Sequence, residues 1–294
     1  MSAAAPGLPM TANAATREEP IAQRRSRAGR IVRGALLALV LVFFLTPMVY
    51  LTLVSLTPQP EVLSGQIIPS RVAWENWPNA FKSVQVLLFL RNSIFVAAIS
   101  ALVTMAIAVP ASYAMVRFRT GGGVLRSAVL SSYVAPPIVA VIPLFFLLKN
   151  AALIDTLPGL ALVHALANLP VAIWLLDSFV REVPADLEEA SWVDGAGRFG
   201  TMLQIVLPLL LPGLVAVAII CIILSYNEFL FALVMTYRPE TQTLPVGIAL
   251  FQGDRLVQFG QMAAASLTGM IPIYLVALFF QRGLVRGLTM GAVK

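Results

Sequence analysis

Apolar residues in this chain are gathered into long blocks, and charged residues mark where the blocks end. Six stretches longer than twenty residues hold no Asp, Glu, Lys or Arg: 34–60, 92–116, 127–148, 156–176, 199–227 and 256–281. A helix of about 20 apolar residues is enough to cross a hydrocarbon core about 30 Å thick. Inside such a core the backbone finds no outside partner for its N–H and C=O groups, so the blocks must be helical. The pattern predicts six spans, roughly 31–56, 87–116, 125–148, 158–180, 207–235 and 261–280. The next longest charge-free run, 1–16, is rich in Ala, Pro, Thr and Asn and predicts no span.

Between the blocks the polar residues are unevenly placed. With the N-terminus inside, the inner segments hold Arg17, Arg24, Arg25, Arg27, Arg30, Arg33, Arg117, Arg119, Arg126, Arg181, Arg198, Arg282, Arg286 and Lys294. The outer ones hold Arg71, Lys82, Arg91, Lys149, Arg238 and Arg255. Fourteen against six favours both termini in the cytoplasm. The net charge of +6 is therefore a topology signal first, and the basic tail suits a membrane surface rather than a nucleic acid. Residues 1–30 are expected to be a mobile basic tail. The apolar run that follows is too long for the core of a signal peptide and has no small-x-small cleavage site, so it is expected to stay as the first span. Trp74 and Trp77, in the outer segment 57–86, suit a helix lying at the membrane interface.

Composition agrees. Apolar residues make up 59% of the 294 and charged residues 12%, with mean hydropathy +0.87. Soluble domains carry about 45–50% and about 25%. This points to an all-α multi-pass membrane protein. The lone cysteine, Cys221, leaves no disulfide framework and no metal spacing. Each predicted span carries a proline (Pro47, Pro110, Pro136, Pro170, Pro212 and Pro272). Proline is common in membrane helices, and it also bends helices that line a cavity; both readings stand at this point.

One polar stretch breaks the pattern. Residues 184–195, PADLEEASWVDG, are acidic and glycine-stopped between the fourth and fifth spans. Pro184 suits a first helical position, Asp186 and Glu188 suit the positive end of a helix dipole, and Gly195 suits the residue just past a helix end. About three turns of helix follow, with Leu187, Ala190 and Val193 or Asp194 on one face. Such a helix is either a solvated connector or a docking element.

The stretch that contains it, EASWVDGAGRFGTMLQIVLP, resembles the signature loop of binding-protein-dependent ABC importer permeases. Glu189-Ala190-Ser191 is followed after three residues by Gly195, and nine residues later by Ile205, Leu207 and Pro208. The family usually has Ala where Ser191 stands, a departure between two small residues. RNSIFVAAISA, SYNEFLFALV (with Tyr226 where Trp is common), TLPVGIALF, MAAASLTGMIPI and the ending GLTMGAVK resemble the carbohydrate branch, the maltose-type second permease subunit. The likeness covers roughly residues 31–294. It implies a type I ABC importer permease fold of six spans in a bacterial inner membrane. The implied partners are a second homologous permease, two ATPase subunits, an external solute-binding protein, and a sugar or polyol as solute. In that family the acidic helix is the coupling helix. Glu188, Glu189, Ala190, Ser191, Asp194 and Gly195 thereby become candidates for coupling to the ATPase, with Glu189 in contact, Ala190 allowing close packing and Gly195 making the turn.

Ionisable and polar groups at membrane depth are functional candidates by default. Tyr226, Asn227 and Glu228 in the outer part of the fifth span, with His164 and Asn168 four apart on the fourth, are candidates for the solute path. Each has an equally plain role as interhelical glue. Asp177 is expected to pair with Arg181 four residues on. No G-x-x-x-x-G-K-[ST] phosphate loop and no catalytic or metal constellation is present in the sequence. No cofactor is expected in this chain; by the resemblance, ATP and Mg belong to the ATPase subunits. A self-contained secondary transporter or channel is the alternative, and it would be expected to show inverted repeats.

Overall fold

The computed structural model describes residues 27–252 and 257–290. Most of the expected basic tail, Arg255 and the last four residues lie outside the described residues. The chain divides into two units, residues 1–49 and 50–294. The described part of the first is the leading stretch of helix α1 (Arg27–Ser55), unbroken through Pro47.

The second unit continues with α2 (Gln59–Leu63), α3 (Asn76–Ser83), α4 (Val86–Arg117), α5 (Gly122–Val134), α6 (Pro137–Asn150) and α7 (Leu157–Glu182). After these come α8 (Ala185–Val193), α9 (Arg198–Thr201), a π-helical turn (Met202–Val206), α10 (Leu207–Tyr226), α11 (Leu230–Met235), α12 (Leu244–Ala249) and α13 (Phe259–Met290). Among the described residues five helices are long and apolar enough to span a membrane, and six crossings result when the bent pair α5–α6 is taken as one.

That pair corrects the expectation of a continuous third span. α5 and α6 meet at 100°. Ala135 precedes a proline and takes an extended ψ of 134°, the conformation that Pro136 imposes on its neighbour. Pro136 and Pro137 together remove two backbone donors, so the helix stops and restarts. The fifth span is corrected too. Helix begins at Arg198, not Leu207, and ends at Tyr226, not Met235. The leading part carries the π turn, in which Leu207 N–H bonds the Met202 carbonyl five residues back. Pro208 follows directly, with no N–H to offer the carbonyl four residues behind it.

α4, α7, α10 and α13 form the packed centre of this unit. Most of what α4 buries between its ends is small: Ser93, Ala97, Ser100, Ala101, Thr104, Ala108 and Ser112, with Val96 among them. They let α7 approach closely, as membrane helices do without a hydrophobic drive between them. Thr104 Oγ1 donates to the Ser100 carbonyl at 2.8 Å and also lies 3.2 Å from the α7 carbonyl of Ala165, and Ser112 Oγ donates to that of Ile173 at 3.4 Å. Larger side chains close the ends. Tyr113, Leu176, Phe179 and Leu210 cluster near α8, and Phe89, Tyr226 and Leu244 cluster at the opposite end.

The segment between α11 and α12 is fastened at that opposite end. Asp155, in the α6–α7 turn, accepts from Tyr237 N at 2.9 Å, from Arg238 Nε at 2.6 Å and from the Thr241 hydroxyl. Asn92 on α4 donates to the carbonyls of Glu240 and Gln242, both at 2.9 Å. Burial acts to raise the Asp155 pKa, but the hydrogen bonds from Thr241, Tyr237 and Arg238 outweigh it and hold the carboxyl down at about 2. A depressed acid contributes stability that is full above its unfolded value, about 3.9, and fades as pH falls through the folded one. Protection of the Tyr237 and Arg238 amides, their exchange measured against the unstructured rate at the same pH, is therefore expected to hold from neutral pH down to about 4 and to fall between about 4 and about 2. In Asp155→Asn protection is expected to be weak across the whole range. Equal protection in the two proteins would remove this clip.

Candidate functional site

α8 is built from its ends. Pro184 stands immediately before it as the N-cap rather than inside the first turn as expected. Asp186 and Glu188 fall in the first turn, where the dipole favours them. At the far end Gly195 takes φ +88°. Its N–H bonds the Trp192 carbonyl at 3.1 Å, and Ala196 N–H bonds that of Ser191 at 3.0 Å. Those two bonds make a Schellman stop. Gly197 follows closely as the N-cap of α9.

The six residues proposed for coupling separate into two sets. Glu188 and Ser191 are buried, while Glu189, Ala190, Asp194 and Gly195 are exposed. Ser191 Oγ meets Thr201 Oγ1 at 2.7 Å. Glu188 accepts from Tyr113 Oη at 2.8 Å and from Arg117 Nε at 2.6 Å. An aromatic brace runs alongside: the Phe118 ring stacks on Trp192 with centroids 6.4 Å apart, and the Arg198 guanidinium lies over the same Phe118 ring, 4.4 Å from its centroid. A cation over a ring face is an attractive arrangement. The expected common face is free, with Leu187 45% and Val193 88% exposed. Glu188 and Ser191 thus face inward, as braces to α4 and α9. They seat the helix, while Asp186, Leu187, Glu189, Ala190, Val193 and Asp194 are among the residues it presents outward.

Near the base of α8, Asp177 takes Arg181 Nε at 3.0 Å, as expected, and also Arg126 of α5 at 2.5 Å. The second partner ties the leading half of the bent pair to α7.

At the opposite end the candidate path residues also divide. His164 and Asn168 point from α7 into α10: His164 Nδ1 lies 2.8 Å from Ser225 Oγ, and Asn168 Nδ2 donates to the Cys221 carbonyl at 3.3 Å. Glu228 lies past the end of α10, in the break before α11. Its carboxylate accepts from Phe231 N and Ala232 N at 3.0–3.2 Å and lies 3.1 Å from His164 Nε2. These three are occupied as joints between helices. Tyr226 and Asn227 instead border a cavity of about 550 Å³ between α10, α12 and α13, together with Phe229, Ser266 and Tyr274. Tyr226 Oη donates to the carbonyl of Gly269, another lining residue, at 2.7 Å. Sequence reasoning missed Tyr113, Arg117 and Asp155. The sequence marked Arg117 and Asp155 only as charges bordering apolar runs, and Tyr113 not at all.

Known proteins share this architecture. A bacterial ABC transporter involved in the import of the acidic polysaccharide alginate superposes with a TM-score of 0.72 at 21% identity, over 90% of this chain and 99% of that one. The MetNI methionine ABC transporter superposes with a TM-score of 0.57 at 18% identity, over 69% and 95%. At such identities the likeness is one of fold. Curated relatives lie nearer in sequence. The trehalose/maltose transport system permease protein MalG of Thermococcus litoralis is 34% identical over 268 residues, 90% of this chain and 96% of that protein. The trehalose transport system permease protein SugB of Mycobacterium tuberculosis is 37% identical over 259 residues, 87% and 94%. A putative ABC transporter permease protein, ORF1 of Streptomyces antibioticus, is 40% identical over 228 residues, 77% and 100%. The family described as the inner membrane component of binding-protein-dependent transport systems matches residues 105–290. With its glycine-stopped acidic helix inside the matched region, and five helices along the chain long and apolar enough to span a membrane, the chain belongs to that family of transport permeases.

Proposed function

We propose that this permease is one of two different membrane subunits of an ATP-driven importer, and that it carries a sugar or related polyol into a bacterial cytoplasm. An external binding protein delivers the solute. Two ATPase subunits, which hold ATP and Mg, do the hydrolysis. The observation that carries this reading is the seating of α8. Its buried side is fixed to α4 and α9 by Glu188 and Ser191, while Leu187, Glu189, Ala190 and Val193 are presented together and exposed. A solvated connector needs neither the anchoring nor the apolar face. A rigid helix joined to two spans suits the transfer of ATPase closure as a rigid-body movement.

The names of the trehalose and maltose relatives support a carbohydrate as solute. So does the cavity: the Tyr226, Phe229 and Tyr274 rings offer apolar faces and the exposed Asn227 a polar group, a mixture suited to small polar ligands. Tyr226 and Asn227, rather than His164 and Asn168, are the proposed solute contacts. Both termini are assigned to the cytoplasm on the arginine distribution.

The test is purification of the chain from its native membrane in mild detergent, with the accompanying proteins identified by mass spectrometry. An ATPase subunit and a second multi-span permease are expected, and the binding protein of the same system is expected to take up a labelled sugar in a titration. A chain that purifies alone or as a homo-oligomer would overturn the reading and favour a self-contained transporter.

A further inference from the structure

Glu188 is 1% exposed on a helix whose other acids, Asp186, Glu189 and Asp194, are all exposed. Complementing the helix dipole does not require this burial, because Asp186 supplies an exposed acid in the same turn. Taking a carboxylate and a guanidinium out of water is costly, and the cost is offset only when the geometry is good and the remaining donors and acceptors are satisfied. The Glu188 carboxylate meets both conditions. The two carboxylate oxygens take Tyr113 Oη and Arg117 Nε. Arg117 Nη2 donates to the carbonyls of Val180 at 2.9 Å and Val183 at 2.5 Å, in the last turn of α7, where carbonyls have no helical partner. One guanidinium, 14% exposed, thus joins the end of α4, the end of α7 and the first turn of α8.

We propose that Glu188 is a positioning residue that passes displacement of α8 to α4, so that the second span moves with the fourth and fifth, to which α8 is joined by the chain itself. This rests on reading α8 as the seat of an ATPase. The hydrogen bonds are short and charge-assisted, and the carboxylate that they hold is 1% exposed. A shift of α8 therefore either carries α4 with it or leaves a buried charge unpaired, and the second outcome is the costlier one. Trp192 stacked on Phe118 is the only other side-chain tie described between α8 and the end of α4, and it is an apolar contact with no directional bond.

The experiment uses the complete transporter in liposomes and reads solute imported per ATP hydrolysed. In Glu188→Ala the ratio is expected to fall about tenfold, within the range of coupling between distant sites. If that variant does not assemble, Glu188→Gln, which keeps the shape but not the charge, decides in its place. A second variant carries Tyr113→Cys and Glu188→Cys. It is expected to be uncoupled with free thiols and to regain coupling when a short bis-thiosulfonate bridges them, which a role confined to folding would not produce. An unchanged ratio, or bridging that restores nothing, overturns the strut. Absence of any ATPase in the wild-type complex would instead overturn the reading on which it rests.

Discussion

Gly195→Val is expected to lower solute uptake by more than tenfold while Gly195→Asn stays within about twofold of the wild-type protein, both chains remaining in the membrane. The two substitutions add comparable bulk, and nothing lies within 4 Å of where a Cβ would sit. Space therefore does not separate them. Backbone conformation does. Gly195 sits at φ +88°, a region that costs an ordinary L-residue roughly 1–2 kcal/mol and a β-branched one more, while asparagine enters it readily. A valine would release the two bonds that stop α8, Gly195 N–H to Trp192 and Ala196 N–H to Ser191. The end of the helix would then turn, taking Val193 and Asp194 out of register with whatever α8 seats against. Glu189→Lys, a charge reversal on an exposed position, is expected to lose uptake in the same way without touching the turn. Uptake assays on vesicles with matched amounts of inserted chain make the comparison. Normal transport in the valine variant, or equal damage from asparagine, would sink the idea that this turn aims the helix.

Glu228→Ala is expected to destabilise the purified permease by about 2–4 kcal/mol, the sum of a lost helix cap, about 1 kcal/mol, and orphaned buried groups at about 1–3 kcal/mol. Glu228 accepts from two backbone N–H groups at the start of α11 and faces His164 Nε2, so its removal strips α11 and the buried imidazole at once. The melting temperature in detergent is the measurement, with a fall of about 5 °C or more expected for a domain of this size. Glu228→Gln keeps one acceptor oxygen and is expected to fall less. An alanine variant that melts with the wild-type protein would show that the α10–α11 break is held by apolar packing around Phe231 and Met235 alone.

Both predictions concern places where helix gives way to something else, and such places differ in how openly the sequence announces them. The six charge-free runs announced the spans because lipid demands only length and apolarity, and neither depends on what a helix meets. α8 was legible from Pro184, its acids and Gly195, all acting on neighbouring residues. Pro136 and Pro137 announced a disturbance in the third run, but not the 100° turn that follows from it. The end of α10 at Tyr226 was not legible at all. Asn227, Glu228 and Phe229 carry no proline or glycine, and what organises the break includes His164, far away in the chain.

By itself, then, the sequence determined how many helices can cross, where a polar helix interrupts them, and which side of the membrane the arginines favour. It also carried the family signature. The tertiary structure alone decided which of two adjacent acids, Glu188 or Glu189, turns inward, because the deciding partners, Tyr113 and Arg117, stand 75 and 71 residues away. It likewise decided that His164 and Asn168 join helices while Tyr226 and Asn227 border a cavity. The physical reason is common to both. Against lipid, one apolar surface serves as well as another, so crossing the membrane is a property of each segment taken singly. Which segments meet, and which polar group each keeps for another, rests on small-residue packing and buried hydrogen bonds between residues distant in the chain.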